Sequence, residues 1–138
     1  MSSFIVNIVH NKVVMAVFLT WFIAHFIKFF NASINHRKIV LKQFFAVGGM
    51  PSAHAATVTS LSISILLEEG LSTTFVVAVV LALIVMRDAL GVRAVVDKHT
   101  LKLNKGKITQ SERVGHTITE VVAGIVIGIV ITLSLIHI

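Results

Sequence analysis

The chain contains no cysteine and one proline in 138 residues, and only 13% of its residues are charged. The lack of cysteine excludes disulfides and thiol catalysis and leaves the redox compartment open. The scarcity of charge excludes an ordinary soluble domain, in which about 25% of residues are charged. Few aromatic residues accompany the basic ones, so a stacking platform for single-stranded nucleic acid is excluded and no nucleic-acid partner is expected. What the chain has is apolar surface: 56% of its residues are hydrophobic, and its mean hydropathy is +0.95. Long apolar runs with few charges read as membrane-spanning helices, because a helix satisfies its own backbone polar groups in lipid. The expected architecture is one all-α integral membrane domain over residues 1–138. It should be a multi-pass protein of the cell membrane, with about four transmembrane helices near 13–30, 51–67, 74–92 and 114–136. A cleaved signal peptide fits the first run less well, since no small-x-small site ends it.

The basic residues outnumber the acidic ones by 12 to 6, a net charge of +6. They flank the apolar runs. The segment 31–47 carries Arg37, Lys38 and Lys42, and the segment 94–113 carries Lys98, Lys102, Lys105, Lys107 and Arg113. Both read as polar basic loops, the second solvated or facing lipid headgroups. The short connection at Glu68 and Glu69 carries no basic residue. The positive-inside rule places both basic loops in the cytoplasm. Gly124 and Gly128 form a small-xxx-small pair suited to close helix packing in lipid.

One stretch organises the polar residues: Gly48-Gly49-Met50-Pro51-Ser52-Ala53-His54. Two glycines permit a turn. Pro51 suits the first helical position, where its missing N–H costs nothing. Ser52 and His54 then fall in the first turn, at the positive end of the helix dipole, where anions bind. On the expected topology, Lys28, Ser52, His54, Asp88, Arg93, His116 and Glu120 all reach the same side of the bilayer. Ionisable groups at membrane depth are costly and usually functional. His116 and Glu120 are four residues apart, so a helix would place the carboxylate beside the imidazole and hold its tautomer. Two histidines, one carboxylate and several cations suit phosphoryl transfer. One imidazole attacks phosphorus, the other protonates the leaving oxygen, and the cations hold the non-bridging oxygens.

The segments Gly48-Gly49-Met50-Pro51-Ser52-Ala53-His54, Asp88-Ala89-Leu90-Gly91-Val92-Arg93 and Gly115-His116-Thr117-x-x-Glu120-Val121 resemble the divergent PAP2 family. That family is related to the type 2 phosphatidic acid phosphatases and vanadium haloperoxidases. The resemblance covers about residues 20–130. In the superfamily motif Pro-Ser-Gly-His the histidine is the acid, and Pro51-Ser52-Ala53-His54 matches it with alanine for glycine. The superfamily nucleophile is a histidine followed four residues later by aspartate, and His116 and Glu120 match with glutamate. Arg113 stands closer to His116 than the superfamily arginine does. The superfamily's first motif has no clean match; Lys28 is the candidate for its lysine, and Arg93 for its missing arginine. The resemblance implies a PAP2-related membrane bundle and a metal-independent lipid-phosphate phosphatase without a cofactor. Its catalytic residues would be His116, His54 and Glu120. Phosphate would be held by Lys28, Ser52, Arg93, Gly49 and Arg113, and Asp88 would orient Arg93.

On the cytoplasmic side the expected substrates are phosphatidylglycerophosphate or phosphatidic acid, with isoprenoid pyrophosphate as the alternative for an outward-facing site. Two other functions fit the same residues. One is a headgroup-binding or scaffold protein without turnover. The other is a metal enzyme using Asp88, Glu120 and His116, although their spacing matches no metal signature. His10 and His99 read as surface histidines, His25 as an interface residue, and Arg87 as a snorkelling one. Four spans are fewer than the six-helix core of typical relatives, which makes a homodimer a natural partner arrangement.

Overall fold

A computed structural model of the chain describes residues 10–36, 48–107 and 113–136. The described residues are helical with no strand. The helices are α1 (Lys12–His36), α2 (Ala53–Glu69), α3 (Thr73–Leu90), α4 (Val92–Leu103) and α5 (Ile118–Ile136). Three stretches are long and apolar enough to cross a membrane: Lys12–Ile34, Thr73–Leu103 and Ile118–Leu135. The remaining long helix, α2, has 17 residues. At 1.5 Å per residue it is about 26 Å long, close to a bilayer's hydrocarbon thickness. It is the hub of the bundle and packs against α1, α3 and α5.

Several boundaries differ from the sequence expectation. The helix expected at 13–30 continues to His36, because no proline or glycine interrupts 31–36. The expected basic loop therefore begins later, and its Arg37, Lys38 and Lys42 lie outside the described residues. The expected loop at 94–113 is largely helical: α4 leaves α3 at Gly91 and runs to Leu103. Val92, Val95, Val96 and Leu103 recur there at helical spacing. Pro51 does not take the first helical position. Ser52 is the N-cap of α2, its Oγ accepting from the Ala55 N–H at 3.4 Å, and Pro51 precedes it. The last helix begins at Ile118 rather than near 114. A reciprocal cap stops it there: Thr117 Oγ1 accepts from the Glu120 N–H, and Glu120 Oε2 accepts from the Thr117 N–H at 3.0 Å.

The interior is built of small and hydroxyl side chains. Ala24, Ala53 and Ala56 form its apolar centre, and the largest fully buried side chains include Thr20, Thr132, Ser60 and Ser64. The large apolar side chains face outward: Phe18, Phe22, Phe26 and Phe30 form a four-residue-spaced ladder along α1. That is the reverse of a soluble core, and it suits lipid, where close backbone approach rather than hydrophobic burial holds helices together. Gly124 and Gly128 show the closeness. A Cβ at Gly124 would lie 2.4 Å from the Ser52 carbonyl oxygen, and one at Gly128 2.6 Å from that of Ala56. Deeper in the bundle, Thr20 and Thr132 both donate to Ser60 Oγ, at 3.1 and 2.8 Å, tying α1, α2 and α5 through buried hydroxyls.

Candidate active site

Two helix N-termini meet at one end of the bundle. The Ser52 N–H donates to the Glu120 carbonyl at 3.0 Å, joining the start of α2 to the start of α5. Their dipoles both present positive ends to this region. The segment Arg113–Thr117 runs across it as a strap. Its backbone is anchored at both ends: the Gly48 N–H donates to the Arg113 carbonyl at 3.0 Å, and the His116 N–H to the Ala89 carbonyl at 3.1 Å.

The strap delivers His116, and the first turn of α2 delivers His54. Their rings lie edge to face with centroids 6.2 Å apart. His116 is 5% exposed. Both of its ring nitrogens, and Nδ1 of His54, are buried without a hydrogen-bond partner. A buried polar group left unpaired costs about 1–3 kcal/mol. Three such atoms lie together where the rings of His54 and His116 meet. The fourth ring nitrogen, His54 Nε2, lies 3.5 Å from Nη1 of Arg93. Arg93 in turn donates from Nε to the Asp88 carboxylate, which fixes the guanidinium plane. Lys28 enters from α1; it is buried and within electrostatic reach of Glu120, His54 and His116. His25, one turn earlier, packs against Trp21 with ring centroids 4.5 Å apart and planes tilted by 41°.

Burial pushes the His116 imidazole down from 6.5 to about 4, and the positive fields of Lys28, His54, Arg93 and Arg113 push the same way. Its neutral form therefore persists as pH falls and is lost only near that lowered value. The acid limb of kcat/KM is expected well below pH 6.5. Lys28→Met, which removes a neighbouring positive charge, should move that limb upward. A pH–rate profile of the two proteins checks this, and an acid limb at or above pH 6.5 in the wild type contradicts it.

Three sequence-derived roles change. Glu120 does not bond to His116, because the imidazole precedes the helix and the carboxylate is already engaged. Its Oε1 accepts from Arg113 at 3.2 Å and its Oε2 from the Thr117 N–H. Ser52 is fully buried, and its hydroxyl oxygen is engaged as the cap of α2. Arg113 stands between two carboxylates, Glu120 and Asp97, the latter at 3.8 Å. It joins the strap to α4 and α5 rather than offering an unpaired cation. Gly49 is buried at φ 99° in the turn before α2. Among the described residues, the cations whose fields act most on the imidazoles are Arg93 and Lys28.

Asp97 is the site residue that sequence reasoning missed. Its Oδ1 accepts from the Val114 N–H and its Oδ2 from the Gly115 N–H, each at 2.9 Å. These bonds fasten the strap to α4 immediately before His116. The available signal was the four-residue spacing from Arg93 to Asp97, which puts both on one face once 92–103 is read as a helix.

Residues 9–131 match the sequence model of a family described as the divergent PAP2 family. The chain is also 35% identical to the uncharacterised membrane protein YuiD of Bacillus subtilis (strain 168), with 74% of this chain and 79% of that protein covered. No solved structure matches it.

Proposed function

The chain belongs to the divergent PAP2 family and forms an integral membrane helical bundle, and on that premise we propose that it hydrolyses a lipid phosphate through a phosphohistidine intermediate. The observation that carries this reading is the pair of facing imidazoles, with three buried ring nitrogens unpartnered, beside Arg93 and Lys28. Arg93 and Lys28 hold the non-bridging oxygens of the phosphate. A ring nitrogen of His116 attacks phosphorus as the ester P–O bond breaks, and His54 delivers a proton to the departing lipid oxygen. Water then attacks phosphorus and gives its proton to His54 as the P–N bond breaks, releasing inorganic phosphate and restoring both imidazoles. The positive helix ends and cations stabilise the charge on the equatorial oxygens throughout.

The test is phosphate release by purified protein from a series of lipid phosphates, with His116→Ala as control and EDTA present. Turnover by the wild type alone, unaffected by EDTA, supports the metal-independent mechanism. The engagement of Glu120 by Arg113 and Thr117 leaves His116 without an orienting carboxylate, and this favours a second reading, headgroup binding without turnover. Saturable lipid-phosphate binding with no phosphate release would select it.

The charge distribution supports a cytoplasmic site, which would meet phosphatidylglycerophosphate or phosphatidic acid, whereas an outward site would meet isoprenoid pyrophosphate. Ser72 caps α3 and is unsuited to labelling, but its neighbour Leu71 is 86% exposed. In intact cells, a membrane-impermeant thiol reagent is expected to label Leu71→Cys and spare Lys105→Cys. The reverse pattern would turn the site outward.

A further inference from the structure

The helix α4 has three distinct sides. Arg93, Ala94 and Asp97 face the strap and the site. At 100° per residue, Val92, Val95, Val96, His99 and Leu103 fall within a single outward arc of about 100°. All five are exposed, Leu103 at 83% and Val92 at 65%. Lys98 and Lys102 form an exposed edge along one border of this arc. The tight turn at Lys105 and Gly106, both at positive φ, adds Lys105 and Lys107 at the helix end. Polar groups near the apolar arc are turned back on the helix. His99 Nδ1 lies 2.9 Å from the Val95 carbonyl, and Thr100 Oγ1 donates to the Val96 carbonyl at 3.0 Å.

We propose that α4 lies along the membrane interface, with Val92, Val95, Val96 and Leu103 in the acyl-chain boundary and Lys98 and Lys102 holding anionic lipid headgroups beside the site. An aqueous setting would leave four large apolar side chains in water on a helix of 12 residues. Charge complementarity selects an anionic leaflet, since the border of the arc is basic. The helix follows directly from the end of α3 at Gly91, which sets it at the edge of the bilayer rather than away from it. This surface does not depend on the phosphatase reading, because none of these side chains touches the imidazoles.

The test uses the full-length protein in phosphatidylcholine vesicles containing roughly one-third phosphatidylglycerol. The chain has no cysteine, so single variants Val96→Cys, Leu103→Cys and Leu71→Cys each carry one environment-sensitive fluorophore. Labels at 96 and 103 should be quenched by lipids spin-labelled in the acyl chain and protected from iodide supplied on both sides of the vesicle membrane, while the label at 71 should be open to it. Spin-labelled phosphatidylglycerol should quench the label at 96 more strongly than spin-labelled phosphatidylcholine does. Adding Lys98→Gln and Lys102→Gln should reduce that preference about fivefold or more while leaving acyl-chain quenching intact, which shows that α4 is still seated. Iodide access at 96 and 103 equal to that at 71 overturns the proposal. So does protection from both quenchers, which would mean that a second protein surface covers the arc. An unchanged phosphatidylglycerol preference in the lysine variant removes the anionic-lipid role.

Discussion

On the proposed mechanism, His116→Ala is expected to reduce lipid-phosphate turnover to background, a loss of roughly 10⁴-fold or more, because among the described residues no other group is assigned to form the covalent intermediate. The fold should survive: the anchoring bond at this position is made by the backbone N–H, which alanine keeps. His54→Ala should lose about 10²–10⁴-fold with alkyl phosphates, the usual range for a missing acid–base group. With a leaving group that needs no proton, the first step in His54→Ala should recover. The second step should not, since water still needs a base. An acid-labile, alkali-stable phosphoenzyme should therefore accumulate in His54→Ala and never form in His116→Ala. Labelling with a ³²P substrate, followed by acid and alkali treatment, reads both results. Wild-type activity in His116→Ala would exclude the mechanism.

Asp97→Ala is expected to lower kcat by about 10²-fold although the residue touches no substrate, because misplacing a reacting group by about 1 Å is enough for such a loss. Its carboxylate accepts two strap N–H groups and balances Arg113, and its side chain is 14% exposed. Removing it leaves those N–H groups without acceptors, at about 1–3 kcal/mol each. It also frees the strap next to His116. Asp97→Asn keeps one acceptor oxygen and should fall between alanine and the wild type in both kcat and thermal midpoint. A residue that merely stabilised the bundle would lower the midpoint and leave kcat per folded molecule unchanged. Single-turnover kinetics on detergent-purified protein distinguish the two outcomes.

The distance between expectation and structure has local causes. The spans were legible because lipid demands long apolar helices, and α1, α3 and α5 supply them. Gly124 and Gly128 were legible as a packing pair, since only small residues allow the approach seen there. His54 and His116 were legible as an unusual pairing of ionisable groups at one membrane level. The role of Glu120 was not, because four-residue spacing brings two side chains together only within one helix, and the cap at Thr117 leaves His116 outside it. The cap at Ser52 was not legible for a related reason: the N-cap lies one residue after Pro51, so the Ser52 hydroxyl turns back to the Ala55 N–H. Asp97 stayed hidden because the lysines around it read as a loop. Only the pairing of α4 with the strap reveals what its carboxylate does.

The inverted interior has a consequence for how such a chain drifts over time. In a water-soluble protein the outside varies and the inside resists change, and what resists it is lost volume. Here the outward Phe18, Phe22, Phe26 and Phe30 ladder needs only to remain oily, so leucine, isoleucine or methionine can replace these rings with little penalty. The restricted positions are the smallest ones. A single added methyl group at Gly124 or Gly128 would meet a carbonyl oxygen of α2 at 2.4 or 2.6 Å. Loss of one hydroxyl from Thr20, Ser60 or Thr132 would break a bond between helices in a medium with no water to replace it. The residues that hold this lineage to its shape are thus the ones with the least side chain to lose, and relatives can differ most where their bulk is greatest.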